Sequence, residues 1–450
     1  RWSLLAADGS SANGGGRALR AGGRLDWQSG PRDLFSFSGD GYRGRSSQSV
    51  NETFQTPLAT MINDTARFSG GFAMGRWERT LKASDIAIQT YYNDERRSEW
   101  VASGVMRTLD FDFQQHFNWK DRHDVIWGAG YRWMHDRLSG SPPPFDPSSR
   151  TDHLFSAFLQ DDISLAPDRL VLTLGTKVLH NSYTGVEVQP GVRIMWTPGR
   201  RHSFWASASR AVRTPSRRDV DLSLAFSLPQ SVYVPITVLT TGNKDFESES
   251  VAAYEAGFRS QIGRRVSLDV ATFVNRYSKL EETVQGTPYV RTAPKAEYVI
   301  PITFVNTGWG HTLGVETALS WNLARRWRIQ GGYAWIEAHL QGPDSADGLS
   351  YQSWAWLTPK STFSVHNFFD LTRNISFDAS LYYASRLPDR DIGAYERTDL
   401  RLAWKVGEYA EFSAGVQNLG SDRHMEFSME EYSATSAVRR SAYIQALWRF

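Results

Sequence analysis

The chain has 450 residues, no cysteine and a formal net charge of +2. The lack of cysteine excludes a disulfide scaffold and cysteine-based metal sites, and the near-neutral charge gives no indication of nucleic-acid binding. Charged residues make up 22% of the chain, too many for a helical membrane protein, and apolar stretches such as 299–305 are far shorter than the ~18 residues of a membrane helix.

Within segments spread from the first residue to the last, large apolar side chains recur at every second position. In 19–28, 125–134 and 398–405, apolar or small residues mostly alternate with polar, charged or small ones. A period of two residues predicts a β-strand with one apolar face and one polar face. About twenty such segments follow one another, beginning with 1–7. The pattern predicts an all-β fold, a transmembrane antiparallel β-barrel.

The predicted connections between these strands alternate between a short kind and a kind that is usually long. The short connections are 29–32, 80–83, 165–168, 197–201, 262–265, 322–326, 371–374 and 405–409. The long connections are 44–66, 139–150, 211–250, 282–296, 341–358 and 420–438. This asymmetry is typical of outer-membrane barrels, in which short turns face the periplasm and longer loops face the outside.

The composition of the two strand faces predicts which one meets lipid. The polar face carries many charges, and a cationic side chain near mid-bilayer costs about 2–4 kcal/mol. The apolar face carries tryptophans near strand ends, as interface girdles require. We therefore expect Trp27 and Trp133 to face lipid, and Arg24 and Arg132 to face the lumen. A soluble all-β binding protein is the alternative from another class.

Four segments of the second half resemble motifs of TonB-dependent outer-membrane receptors. They are S-R-A-V-R-T-P-S at 209–216, G-N-K-D-F-E-S-E-S-V-A-A-Y-E-A-G at 242–257, N-T-G followed by G-V-E within 306–316, and V-Q-N-L-G at 416–420. Because their order and spacing over about residues 200–450 also agree, the chain is identified as a member of this family.

The resemblance implies a 22-stranded barrel whose lumen holds a plug domain. No plug or TonB box is recognisable in 1–450, so we expect the whole chain to be barrel, with about twenty of the 22 strands and without the plug, the TonB box and the first hairpin. A natural plugless barrel is the alternative, and that alternative favours a passive diffusion channel.

The resemblance also implies a function at the bacterial outer membrane. It implies TonB-dependent active uptake of a scarce ligand, most often a ferric siderophore or a similar metal chelate, and no enzymatic activity. The implied partners are outer-membrane lipid and lipopolysaccharide, the barrel-assembly machinery, the small-molecule chelate, and the TonB energy-coupling complex acting through the plug. No cofactor, protein-bound metal or nucleic acid is expected.

Candidate ligand-binding residues lie in or beside the predicted extracellular loops. Arginines there could bind an anionic chelate through forked hydrogen bonds, or could form a positive rim facing lipopolysaccharide: Arg210, Arg213, Arg217 and Arg218. Aromatic side chains could stack on a ligand, or could pack loop against loop: Tyr233, Tyr289, Trp309, Tyr351, Trp354 and Trp356. At the C-terminus, the resemblance implies an assembly signal formed by Tyr443, Trp448 and Phe450.

Overall fold

The computed structural model describes residues 5–6, 15–52, 60–100, 102–140, 144–227, 235–293, 296–342, 358–388, 391–427 and 436–448. Almost every element in these ranges is a strand, as the two-residue alternation predicts. Among the residues so described, no helix is long and apolar enough to span a membrane.

The first half of the chain forms long strands and one short helix. These elements are β1 (Leu5–Ala6), β2 (Gly16–Gln28), β3 (Asp33–Glu52), β4 (Thr60–Thr80), β5 (Ser84–Ser98), β6 (Ser103–Trp119), β7 (His123–Ser139), β8 (Ser149–Ala166), β9 (Leu170–Asn181), β10 (Gly185–Gly199), β11 (His202–Arg213), α1 (Arg217–Asp221) and β12 (Ser223–Ser227).

The second half contains strands only. They are β13 (Ile236–Thr241), β14 (Glu249–Ile262), β15 (Val266–Gln285), β16 (Tyr289–Arg291), β17 (Glu297–Ala324), β18 (Trp327–Gln341), β19 (Ser361–Asp370), β20 (Ile375–Ala384), β21 (Tyr395–Val406), β22 (Ala410–Gln417), β23 (Arg423–Phe427), β24 (Ser436–Arg439) and β25 (Ser441–Trp448).

One sheet of barrel type contains 22 of the described strands, and nineteen of them form its consecutive antiparallel ladders. Its ladders join β2 to β11 in chain order and continue through β14, β15, β17 to β22 and β25. A small sheet orders β1, β24 and β23, and a single residue separates β24 from the last strand. The nineteen strands of the consecutive ladders agree with the prediction of about twenty strands, and the predicted fold class is confirmed.

The eight predicted short connections are confirmed to within three residues at each end. Three of them contain a glycine with positive φ, at Gly30, Gly263 and Gly407, because tight turns need a backbone conformation that other residues rarely adopt. The turn 120–122 between β6 and β7 is an additional short connection that the prediction did not include. All of these turns lie at one end of the sheet, the short-turn end.

At the opposite, long-loop end, four predicted loops are wrong in extent. The range 282–296 contains the end of β15 and all of β16, and the range 420–438 contains β23 and most of β24. The range 44–66 was expected to be loop, but β3 and β4 remain paired as far as Glu52 and Thr60. In 44–52, apolar and polar residues do not alternate. Outside the apolar belt of a barrel, neighbouring strands still pair through backbone hydrogen bonds, and these bonds do not need such an alternation. The range 211–250 was also expected to be loop, yet it contains α1, β12 and β13.

The ladders sort the side chains into an apolar face and a charged face. On the apolar face, the ring of Phe35 lies 5.3 Å from that of Trp27 and 6.4 Å from that of Trp77, and Trp27 is 56% exposed. On the charged face, Arg24 pairs with Asp26 at 2.9 Å and Arg132 with Asp110 at 2.6 Å.

The apolar face is uncovered over its whole length, with several dozen large apolar side chains exposed in the described ranges. A soluble protein does not leave so large an apolar surface in water. In a membrane barrel, the apolar face contacts lipid and the charged face lines the polar lumen, so each face lies in a matching environment. This arrangement agrees with the predicted facing of Trp27, Trp133, Arg24 and Arg132.

Candidate functional site at the long-loop end

The segment between β11 and β14, described in 214–227 and 235–248, crosses part of the long-loop end. On one side, β13 forms a parallel ladder with the upper part of β17, from Ile236 opposite Tyr298 to Thr241 opposite Thr303. On the other side, the N–H of Asp146, in the β7–β8 connection, donates to the carbonyl of Asp221 at 2.8 Å. We call this segment the mouth segment, because it reaches from the β7–β8 connection to β17.

The short helix α1 places two carboxylates in the interior of the mouth segment. The side chains of Asp219 and Asp221 are almost completely buried. The Asp219 carboxylate accepts a hydrogen bond from the N–H of Ser216 at 2.8 Å, which fixes the start of the helix. Gly242 lies against the helix backbone, and a Cβ at this position would overlap with the backbone of Val220. Only glycine allows this approach.

Asp221 is surrounded by three cationic side chains. Arg150 Nη1 lies 3.1 Å from Asp221 Oδ2, Arg217 Nε lies 2.8 Å from the same oxygen, and Lys244 contacts Oδ1. Arg217 also pairs with Asp136 of β7. Burial of the Asp221 carboxylate without an opposite charge would cost a large amount of folding free energy, so the three cations are needed to compensate for it. They connect α1 to β7, β8 and the loop after β13.

Arg213 is the centre of a second charge cluster. Its guanidinium donates to Glu249 at 2.7 and 2.9 Å and to Asp219 at 2.9 Å, and it also reaches Glu281. Arg218 pairs with Glu281 at 2.6 Å. The clusters around Arg213 and Asp221 together form what we call the rim network.

The rim network shifts the pKa values of its members in opposite directions. The hydrogen bonds to Glu249 are the largest cause that raises the pKa of Arg213 above its ordinary value. Burial would raise the pKa of Asp219, but the Ser216 N–H and the Arg213 guanidinium outweigh it and hold that pKa below its ordinary value. Burial raises the pKa of Glu281, against the opposing charge of Arg218.

A small apolar core supports the rim network. Val220, Phe246 and Phe304 are buried against one another, and Tyr183 and Leu222 pack beside them. Two cationic side chains lie over aromatic rings of this core. The guanidinium of Arg218 is 4.4 Å from the centre of the Phe304 ring, and that of Arg150 is 4.2 Å from the centre of the Tyr183 ring. The mouth segment is therefore a packed structure with its own interior.

The structure brings three of the four predicted arginines into the rim network. Each of these three arginines pairs with carboxylates, so their guanidinium groups already hold the mouth segment together: Arg213, Arg217 and Arg218. Arg210 lies outside the network, where its Nη1 donates to the carbonyl of Val188 at 2.5 Å. The sequence reasoning did not identify the carboxylates that pair with these arginines. The sequence feature that could have indicated this pairing is the run 217–221, in which Asp219 and Asp221 follow directly after two arginines.

The predicted aromatic residues do not form one group in the described ranges. Trp309 is 54% exposed and shares the apolar face of β17 with Leu319 and Trp321, which favours contact with lipid over contact with a ligand. Tyr289 is an exposed residue of β16. The other candidates lie outside the described residues: Tyr233, Tyr351, Trp354 and Trp356.

The predicted assembly signal is divided between the two faces of β25. Tyr443 covers Gly415 on the charged face, whereas the Trp448 ring lies edge-on 5.6 Å from that of Phe412 on the apolar face. Phe450 lies outside the described residues. Tyr443 and Trp448 therefore do not belong to a single alternating aromatic row.

The segments that carried the family resemblance contact one another at this site. Arg213 belongs to 209–216 and its partner Glu249 to 242–257. Asn306, of the third segment, donates to the carbonyl of Glu247 at 3.1 Å and accepts from the N–H of the same residue at 2.7 Å. The motifs thus specify how the mouth segment is anchored to the barrel.

Comparisons with known proteins agree with this architecture. The family model described as TonB dependent receptor-like, beta-barrel, matches residues 2–419. A probable TonB-dependent receptor of Bordetella pertussis, BfrD, is 21% identical over 360 residues, which cover 75% of this chain and 39% of the relative. The chain therefore spans well under half of the length of that relative.

Solved structures show the same fold at low sequence identity. A variant of the ferric enterobactin receptor PfeA of Pseudomonas aeruginosa, in complex with enterobactin, superimposes with a TM-score of 0.77 at 16% identity, covering 100% of this chain and 73% of that one. The siderophore receptor PirA of Acinetobacter baumannii gives a TM-score of 0.75 at 14% identity, covering 97% and 71%. The resemblance seen in the sequence is confirmed: the chain belongs to the TonB-dependent receptor-like β-barrel family, whose members are outer-membrane receptors and not enzymes.

Proposed function

We propose that this chain is the barrel of an outer-membrane receptor that takes up a metal chelate, a ferric siderophore or a compound of similar chemistry, by TonB-dependent transport. The observation that carries the proposal is the packed mouth segment. Its rim network holds it against β7 and β8 on one side, and the β13–β17 ladder holds it on the other, so the chain presents a fixed surface at the long-loop end. A receptor needs such a surface to recognise a ligand before transport.

Two further observations support uptake of a chelate. The family match covers most of the chain, and several structures of similar fold are described as receptors for ferric enterobactin or other siderophores. In this proposal the energy-coupling complex acts through a plug domain in the lumen, because 22-stranded outer-membrane transporters, the barrel size that the family resemblance implies, hold a plug. A metal ion enters the proposal only as part of the transported cargo.

The test is uptake of radioactive iron by cells that produce the complete gene product and lack their own siderophore receptors. Ferric catecholate and ferric hydroxamate chelates are supplied to strains with and without TonB. We expect uptake of at least one chelate that is lost without TonB. Flux of small solutes that does not depend on TonB would instead establish the passive channel, and folded protein at the cell surface without uptake of any chelate would contradict the proposal.

A further inference from the structure

Four arginines occupy the same position at the short-turn end, each as the last residue of a short connection. They directly precede β9, β11, β15 and β18: Arg169, Arg201, Arg265 and Arg326. The backbone carbonyl of each accepts a hydrogen bond from the neighbouring strand at 2.7–2.9 Å, so the ladders of the sheet already include these residues. The four arginines therefore lie at one level along this end of the sheet.

Strand alternation turns these four side chains to the lumen. Arg265 precedes Val266, which lies opposite Trp321 on the apolar face. Because successive side chains of a strand point to opposite faces, Arg265 lies on the charged face, which lines the lumen. The first residues of β9, β11 and β18 also lie on the apolar face, so the same alternation places the other three arginines beside the lumen.

Two further arginines extend this set upward along the lumen. Arg193 of β10 and Arg328 of β18 lie on the charged face. The guanidinium of Arg193 lies 4.7 Å from the centre of the Trp205 ring, and that of Arg328 lies 4.6 Å from the centre of the Phe368 ring. Stacking leaves the N–H donors in the guanidinium plane free, and neither group donates a hydrogen bond to another described residue. We call the six arginines the exit arginine cluster.

The exit arginine cluster is not neutralised by the described part of the chain. No carboxylate of the described residues forms an ion pair with any of the six arginines. The connections before β9, β11, β15 and β18 carry seven arginines and one carboxylate, Asp168. Near these turns, the described carboxylates on the charged face of β9 to β19 are Asp370 and Asp269, and Asp269 pairs with Arg259. This sector therefore carries a large excess of positive charge.

The neighbouring sector of the same end differs in charge. Between β2 and β8, a cavity of about 760 Å³ is lined by five carboxylates and three arginines. In this cavity Arg76 pairs with Glu78 at 2.7 Å, and His116 contacts Asp124. Excess positive charge is thus a property of the sector from β9 to β18, and not of the whole short-turn end.

The shape of the cluster suits an anion that passes along it. The cluster extends over seven neighbouring strands, about 29 Å at ~4.8 Å per strand, and all six side chains are exposed. Charges of one sign along a channel raise the local concentration of ions of opposite sign, and exposed groups do not hold such ions permanently. The short turns of outer-membrane barrels face the periplasm, where a transported compound leaves the lumen.

We propose that the exit arginine cluster is a transient binding site for an anionic chelate leaving the lumen, and that the transported chelate carries a net negative charge. The inference rests on the proposed function, and it adds the charge of the chelate and a second site on its path. Lipid is a poorer occupant, because side chains on the charged face are turned away from the bilayer. A docked protein would contact the turn tips at least as strongly as the lumen face.

The test is uptake of radioactive iron by cells that produce the complete gene product. The chelates are a ferric tris-catecholate, which is anionic, and a ferric tris-hydroxamate, which is neutral. R201Q/R265Q/R326Q should take up the anionic chelate at least about fivefold more slowly than the parent protein, with unchanged binding to cells that lack TonB. The amount of folded barrel in the outer membrane normalises each rate.

Two matched variants separate charge from structure. R200Q/R264Q/R325Q removes the same charge one residue away, at the turn tips, and should behave as the parent protein does. R201K/R265K/R326K keeps the charge on the lumen face and should retain most of the uptake. A loss in the lysine variant as large as that in the glutamine variant would overturn the inference, because charge would then not be the property that acts.

Three other outcomes would overturn this inference and leave the proposed function intact. They are uptake of the neutral chelate alone by the parent protein, an unchanged rate in R201Q/R265Q/R326Q, and an equal loss in the turn-tip control. If the glutamine variant does not fold, each of its three single substitutions should slow anionic uptake roughly 1.5- to 2-fold, and unchanged rates in all three would have the same meaning.

Uptake of neither chelate by the parent protein would contradict the proposed function, and the cluster is then tested on its own. Purified protein is dialysed to equilibrium against ferric tris-catecholate at saturating concentration. R201Q/R265Q/R326Q should bind fewer chelate molecules per protein than R200Q/R264Q/R325Q does. Equal amounts of bound chelate would overturn the inference.

Discussion

Arg213 and Glu249 form two parallel hydrogen bonds, from Nε to Oε2 at 2.7 Å and from Nη2 to Oε1 at 2.9 Å. The two residues are the last of β11 and the first of β14, so this pair joins the two ends of the mouth segment. A planar guanidinium is required for such a pair, since an ammonium group cannot form both bonds at once.

Replacement of Arg213 by Lys should therefore loosen the mouth segment. We expect a loss of about 1–3 kcal/mol, because one charged hydrogen bond to Glu249 disappears and the contact to buried Asp219 weakens. Limited proteolysis within 214–248 and thermal unfolding in detergent measure the effect. The control is Arg264→Lys in a short turn, and equal protease resistance of the two variants would contradict the prediction.

Gly242 should not tolerate even one added methyl group. A Cβ there would overlap with the backbone of Val220, which is fixed in α1, so Gly242→Ala should destabilise the mouth segment by about 1–3 kcal/mol. The measurement is again proteolysis of 214–248. Gly199→Ala is the matched control, because a Cβ at Gly199 meets nothing within 4 Å. A mild effect at both positions would show that α1 can move away.

The two faces of the barrel should respond differently to lysine. Trp133 lies on the apolar face, directly opposite Leu109, so Trp133→Lys should destabilise the barrel in lipid, by up to about 4 kcal/mol. Arg24→Lys keeps the charge beside Asp26 on the charged face and should be mild. Unfolding in lipid vesicles with denaturant measures both changes, and the reverse ranking would invert the assignment of the faces.

Asp219 should make the mouth segment sensitive to acid. Its pKa is lower in the folded protein than in the unfolded chain, so its contribution to stability is present above the ordinary carboxyl pKa of ~3.9 and is lost as the pH falls through the lower folded value. The variant Asp219→Asn should be less stable than the parent protein at pH 7, and this difference should shrink toward pH 3. A difference that is constant over this range would sink the idea. Proteolysis with an acid-tolerant protease and thermal unfolding are suitable readouts.

Removal of Phe450 should impair assembly, because the resemblance implies that Tyr443, Trp448 and Phe450 belong to the assembly signal of the barrel. The measurement is the amount of folded, heat-modifiable barrel in outer-membrane fractions. Tyr443→Ala is an informative comparison, since Tyr443 covers Gly415 on the charged face and its loss should affect local packing more than recognition. Normal outer-membrane levels without Phe450 would contradict the prediction.

The sequence by itself determined most of the long strands, their two faces and eight of the short turns. Residues such as Trp27, Arg24 and Gly30 carry this information locally, because side chains alternate across a strand and a tight turn needs a residue that accepts positive φ. The motifs at 209–216 and 242–257 also identified the family, although they did not reveal that Arg213 and Glu249 contact each other.

The tertiary structure alone decided the roles of the arginines. Arg213 and Arg217 resemble ligand-binding residues in the sequence, but the fold brings Glu249, Asp136 and Asp221 to them from distant strands. Arg45 and Arg67 are unremarkable in the sequence, and only the β3–β4 register places them side by side on the outward face. Charge pairing depends on distances between residues far apart in the chain, and strand register sets those distances.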